Sequence, residues 1–260
     1  MDPVTPVDFG RRSGDYARHR PGPPPAFYDR IDTFIPLHGA RVLDLATGPG
    51  TLALQVADRG AHVVGIDLAP PQIEAARVAA QEAGLADRTE FRVARAEDTG
   101  LRSNAFDLVT AGQSWHWFDP EPALREVRRV LRPGGVLAIV AYSYLAAHSP
   151  VAAATEALVL ELNPSWTMAG WTGLFPHQID EVIRGGMVFV ESFCFDVVVP
   201  FSHERWRGRM RTCNGVGSGG MSPEDVGRFD EALRALLSDR FPEPLEIPHR
   251  VWCVVAREPG

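Results

Sequence analysis

Residues 42–67 constrain this chain more than any other stretch. They read Val42-Leu43-Asp44-Leu45-Ala46-Thr47-Gly48-Pro49-Gly50-Thr51, then a run to Arg59, then Gly60-Ala61-His62-Val63-Val64-Gly65-Ile66-Asp67. A short apolar run halted by Gly and Pro suits a buried parallel strand, and Leu52, Leu54, Val56 and Ala57 supply a helix that Gly60 ends. Strand, glycine turn, helix, strand and acid make half of a nucleotide-binding α/β fold. Without Cβ atoms, Gly48 and Gly50 let the backbone approach a ligand at the mouth of the sheet, where the amides opening the next helix point outward. Asp67 closes the second strand and can accept both hydroxyls of an adenosine ribose. The pattern predicts a cleft for an adenosine-containing cofactor; the alternative is a tight turn that binds nothing.

Glycine spacing distinguishes between cofactors. A dinucleotide turn follows G-x-G-x-x-G, and alignment on Gly48 gives Ala46, Gly48 and Thr51 instead, which disfavours a nicotinamide oxidoreductase. The segment resembles motif I of the class I S-adenosylmethionine-dependent methyltransferases, D-x-x-x-G-x-G, with Asp44 as the leading acid and Ala46 in place of the family's first glycine.

Net charge of −7 argues against a broad electrostatic grip on nucleic acid, so no nucleic-acid partner is expected. Cys194, Cys213 and Cys253 are scattered and odd in number, giving neither a disulfide framework nor a metal pair. His177, His203 and His249 are likewise too isolated for a metal site. The polar residues 1–14 lack a signal-peptide core and no apolar run reaches membrane-spanning length, so a cytoplasmic protein without membrane contact is expected.

Several further segments extend the resemblance. Residues 15–27 form a proline-broken arm, followed by a helix over 26–34. In the resembled family a Tyr-Ala-x-x-Arg-Pro arm folds over the cofactor, implying that Tyr16 and Arg20 lie near its methionine end and that Arg20 pairs with the carboxylate. A solvated arm is the alternative. After Asp67 and Leu68, a helix starts with Pro70-Pro71 and stops near Gly84. Ala96 and Glu97 follow a strand over 89–94, where the family frames the adenine; an ordinary acidic loop is the other reading. Phe106-Asp107-Leu108-Val109 opens a strand whose carboxyl end carries Gln113, Trp115, His116, Trp117, Phe118 and Asp119, facing the same cleft as the glycine turn. Asp119 is expected to cap a helix with Leu124, Val127, Val130 and Leu131 inside, ended by Leu131-Arg132-Pro133-Gly134-Gly135 before a strand over 136–141. Phe-Asp-Leu-Val, the His-Trp-Phe-Asp segment and Leu-Arg-Pro-Gly-Gly together resemble the methyltransferase group that includes trans-aconitate methyltransferases and many small-molecule O-methyltransferases.

The resemblance implies an α/β, Rossmann-like doubly wound sheet of seven strands, mostly parallel with an antiparallel last strand, plus a helical cap insertion. One domain over 1–260 is expected: an arm and helix (1–35), a cofactor-binding core (36–142), a substrate cap (143–188) and a completing segment (189–260). The cofactor set it implies is Tyr16, Arg20, Asp44, Ala46, Gly48, Gly50, Asp67, Leu68, Ala96, Glu97 and Gln113. Trp115, Trp117, Trp166 and Trp171 are either pocket walls or core. Arg205, Arg207, Arg209 and Arg211 alternate with Trp206, Gly208 and Met210, which reads as a basic face or a solvated edge.

The expected activity is methyl transfer from S-adenosyl-L-methionine to a small organic molecule, leaving S-adenosyl-L-homocysteine, with an oxygen nucleophile and in-line displacement. His116 is the candidate general base, or else a residue that shapes the cleft. The alternative is a methyltransferase fold that binds the cofactor without transferring methyl, as a cyclisation catalyst or a binding module.

Overall fold

The structure, a computed structural model, describes residues 19–217 and 220–260. Tyr16 lies outside them. The first half runs α1 (Pro25–Asp32), β1 (Arg41–Leu45), α2 (Thr51–Asp58), β2 (His62–Asp67), α3 (Pro70–Glu82), β3 (Thr89–Val93), β4 (Phe106–Gly112) and α4 (Pro120–Val130). There follow β5 (Leu131–Tyr144), α5 (Pro150–Leu162), α6 (His177–Arg184), β6 (Val188–Phe201), α7 (His203–Arg211), α8 (Pro223–Arg240) and β7 (Leu245–Arg257).

The seven strands form one sheet ordered β3-β2-β1-β4-β5-β7-β6. β1 pairs in parallel with β2 and β4, β2 with β3, and β4 with β5. The last strands are antiparallel. The Gly134 amide donates to the Glu258 carbonyl at 3.1 Å and the Leu145 amide to the Pro248 carbonyl at 2.9 Å, so β5 and β7 meet head to tail. The order steps outward from β1 to β3 on one side and from β4 onward on the other. It therefore reverses between β1 and β4, the point where doubly wound sheets bind ligands at their carboxyl edge.

Two compact units divide the chain. One comprises Gly22–Tyr142, Leu174–Phe195 and Val251–Gly260. Its core sets Leu43, Leu45, Ile66, Val109, Leu137 and Ile139 from the strands against Leu124, Val127 and Val130 of α4. The spacing of the last three puts them on one helix face. Each such side chain stabilises the fold by about 1.5–3 kcal/mol when fully buried. The other unit comprises Ser143–Gly173, Asp196–Arg250 and the described end of Met1–Pro21. Its core joins Val151, Val159, Trp206, Met210, Phe229 and Leu233.

Three local expectations need correction. The alternating arginines form neither a bare basic face nor a wholly solvated edge but lie on a helix, where the Ser202 hydroxyl caps α7 by accepting from the Arg205 amide at 3.1 Å. At helical spacing Trp206 and Met210 turn inward, while Arg207 and Arg211 share a face and bond Asp230 of α8. Secondly, β5 begins at Leu131, immediately after α4. Phe106 aligns with Leu131 but Leu108 with Val136, so residues 132–135 bulge opposite Asp107. Thirdly, Asp119 occupies the N-cap of α4 without a side-chain cap, and Pro120 at the first helical position loses no donor.

Candidate active site

The glycine turn sits at the carboxyl end of β1 and is braced from beneath by Asp44. This side chain is 1% exposed; one carboxylate oxygen accepts from the Thr47 hydroxyl at 2.6 Å and the other from the Thr110 hydroxyl at 2.7 Å. Thr110 is its cross-strand partner on β4, so one carboxylate ties the turn to both strands. Burial pushes the Asp44 carboxyl up to about 6 even though both hydroxyl bonds pull it down.

Asp67 closes β2 on the other side of the turn. One of its oxygens accepts from the Gly48 amide at 3.0 Å and the other from the Ala69 amide at 2.9 Å. Burial raises its pKa, and these amides oppose the rise. The Leu68 amide also draws on this carboxylate, which has about four acceptor directions in all. Above Gly48 there is room: a Cβ built there meets nothing within 4 Å, whereas one on Gly50 packs on Ala76, Leu54 and Phe91. Gly65, inside β2, has no such room. The place of its Cβ is taken by the Phe91 ring at 2.7 Å and the Thr47 hydroxyl at 2.9 Å.

Ala46 stands where the resembled family has glycine, and its φ is +48°. A left-handed conformation costs an L-residue about 1–2 kcal/mol, partly offset by the lower unfolded-state entropy of alanine. Ala46→Gly is therefore expected to stabilise the protein by up to about 1 kcal/mol, read as a higher urea midpoint at unchanged m. A lower midpoint would show that the Ala46 methyl packs favourably.

At the carboxyl end of β4, Gln113 is also left-handed, φ +57°. Its amide donates to the Val140 carbonyl at 2.8 Å and its side chain to the Tyr142 carbonyl, holding the turn against β5. Trp115 is 3% exposed in the core, and its indole N–H donates to Glu181 at 2.8 Å. Of its two readings, that burial matches core. The exposed His116 and Trp117 have rings 4.7 Å apart, and Trp117 is 44% exposed. Ala96 is buried; Glu97 pairs with Arg95 at 3.2 Å and accepts weakly from the Asp119 amide at 3.4 Å. The Leu68 side chain beside Asp67 is 59% exposed.

In the other unit, the Arg20 guanidinium donates to the Thr212 hydroxyl at 2.9 Å and to its carbonyl at 3.0 Å. Trp166 lies over Gly215 and donates its indole N–H to Asn214 at 3.1 Å, and Trp171 is half-buried. Sequence reading missed Thr47 and Thr110. The one available signal was the pair of hydroxyls facing a buried strand acid; the pairing of β1 with β4 that brings them together is not local in the chain.

A switch-point sheet with a braced glycine turn and an acid closing the next strand defines a Rossmann-like nucleotide-binding protein. Residues 43–139 match the methyltransferase domain family. The chain is 31% identical over 206 residues to a ubiquinone biosynthesis O-methyltransferase of Xylella fastidiosa, covering 76% of this chain and 81% of that one. It is 40% identical over 134 residues to an uncharacterized methyltransferase of Mycobacterium tuberculosis, 52% of this chain, and spans about half, 51%, of that relative's length. A solved candidate type II methyltransferase from Anaeromyxobacter dehalogenans is similar with a TM-score of 0.62 and 25% identity, over 92% of this chain and 98% of that one. The chain belongs to the class I S-adenosylmethionine-dependent methyltransferases.

Proposed function

We propose that this protein transfers a methyl group from S-adenosylmethionine to an oxygen of a small organic molecule. The observation that carries the reading is the open space over Gly48 beside an Asp67 carboxylate already bonded to that glycine's amide. The cofactor family is supported by the methyltransferase match, and oxygen as acceptor by the O-methyltransferase relative.

When bound, the cofactor supplies a methyl group made electrophilic by its sulfonium. The chain's own work is to bind, orient and exclude water. Asp67 takes the ribose hydroxyls, Leu68 offers apolar surface to the base, and Ala96 and Glu97 frame its edge. Asp44 acts indirectly, holding Thr47 and the turn above it. The segment 143–188, with Trp166 and Trp171, is assigned to acceptor selection, and Trp117 to the cleft wall. A carboxylate acceptor needs no base. A phenol or alcohol does, and the exposed imidazole of His116 takes that proton in this reading.

The test is calorimetric titration with S-adenosylmethionine and S-adenosylhomocysteine, with NADH as control, followed by methyl-label transfer to phenols, alcohols and carboxylic acids. Binding with label transfer supports the reading. Binding without transfer to any acceptor class leaves a cofactor-binding fold, and absence of binding by the folded, ligand-free protein removes the enzyme assignment. On a hydroxyl acceptor, His116→Gln is expected to lower kcat by about 10²-fold and flatten the acid limb of the pH–rate profile. On a carboxylate acceptor it leaves kcat unchanged. Full activity on a phenol would reduce His116 to shaping the cleft.

A further inference from the structure

After β4 the chain makes one tight helical turn, Trp115–Trp117, in which Trp115 is the buried side chain. The Trp117 amide donates to the Ser114 carbonyl at 2.9 Å and the Phe118 amide to the Trp115 carbonyl at 3.1 Å, which closes the turn on itself. His116 and Trp117 are exposed on it, so where they point follows from how the Trp115 ring is seated. The Phe118 ring meets Trp115 edge-on at 5.7 Å. Phenylalanine would serve apolar packing of this kind equally well. A buried indole N–H also needs an acceptor, and that requirement gives the ring one direction.

The acceptor is Glu181, whose carboxylate takes the indole N–H at 2.8 Å. A charged acceptor makes the stronger class of hydrogen bond. Glu181 stands on α6, and α6 is itself held. Gln178, three residues earlier and on the same helix face, accepts from the Trp252 indole of β7 at 3.1 Å. Val182 is fully buried, and just past the helix end a Cβ on Gly185 would lie 2.5 Å from Leu124 of α4. An anchored helix thus grips, through one charge-assisted bond, the turn that carries His116.

We propose that Glu181 is a positioning residue for methyl transfer: its carboxylate seats the Trp115 ring and so aims His116 at the acceptor hydroxyl. This rests on the reading of His116 as the base. In this assignment Glu181 touches neither cofactor nor acceptor, so its loss lowers the rate and leaves cofactor affinity unchanged.

The experiment measures kcat on a phenol acceptor, and S-adenosylhomocysteine affinity by calorimetry, in wild type, Glu181→Leu, Glu181→Gln, His116→Gln and the Glu181→Leu/His116→Gln double variant. Glu181→Leu is expected to lower kcat about tenfold through misplacement of the base, with cofactor affinity unchanged. Glu181→Gln keeps an acceptor oxygen and is expected to restore most of the wild-type kcat. On the His116→Gln background Glu181→Leu is expected to cost nothing further, because the group being aimed is gone. Losses that multiply in the double variant overturn the proposal. So do wild-type kcat in Glu181→Leu, no rescue by Glu181→Gln, and a fall in cofactor affinity alongside the rate. Should Glu181→Leu not fold, Trp115→Phe breaks the same bond from the indole side and takes its place in the cycle. Failure of the base reading looks different: His116→Gln alone then keeps full kcat, or no phenol is methylated, and the positioning role falls with it.

Discussion

Alanine at position 67 is expected to weaken S-adenosylhomocysteine binding at least a hundredfold. Hydrogen bonds to a charged acceptor contribute about 1.5–3 kcal/mol each, and about 1.4 kcal/mol is a factor of ten in affinity. Two ribose hydroxyls on one carboxylate therefore carry a loss of this size. The Gly48 and Ala69 amides would also lose their acceptor, so the turn is released as the ligand contact disappears. Asp67→Asn, which keeps one acceptor oxygen, is expected to fall between wild type and alanine. Calorimetry on the three proteins checks the order, and wild-type affinity in the alanine variant would remove Asp67 from the ribose.

The second large effect concerns stability and has a definite sign with pH. Asp44 titrates at about 6 in the folded protein against 3.8 for the ordinary carboxyl, because burial disfavours its charge. Between these values the folded state binds more protons than the unfolded one. Stability is thus fully present below about 3.8 and declines as pH rises through 6, by about 3 kcal/mol in all. Asparagine stays neutral and avoids the decline. Its amide can donate to Thr110, whose hydroxyl then turns to the Leu43 carbonyl, 3.5 Å away. Asp44→Asn is expected to be more stable than wild type at pH 8, by up to about 3 kcal/mol, and to have no such advantage at pH 4. Urea unfolding at both values tests this. A constant difference between the proteins at the two pH values would mean that Asp44 carries no buried charge.

Much of the fold is legible in the sequence because its signals are local. The strand ending at Leu45, the turn through Gly50 and the acid at Asp67 lie within one stretch, and their periodicity and punctuation need no distant partner. The His-Trp-Phe-Asp segment falls at the carboxyl end of β4 for the same reason. What stays hidden depends on contacts between remote residues. Trp115 looks the same in a sequence whether it lines a pocket or fills the core, and its burial and its bond to Glu181 in α6 come from contacts remote in the chain. The arginines of α7 alternate like a strand, yet the Ser202 cap and Asp230, in an element twenty residues on, favour a helix.

The filled space at Gly65 has a bearing on how a ligand is received. Phe91, which occupies it from β3, also packs where a Gly50 Cβ would lie, and Thr47, which shares it, holds Asp44. A ring from β3 and a hydroxyl from the turn thus pack into the one small volume that a side chain at residue 65 would need. The conformational freedom of the turn is surrendered when the chain folds rather than when the ligand arrives. Association then has little ordering left to do at this point, and a substitution at Gly65 would reach the ligand as lost preorganisation from a residue that never touches it.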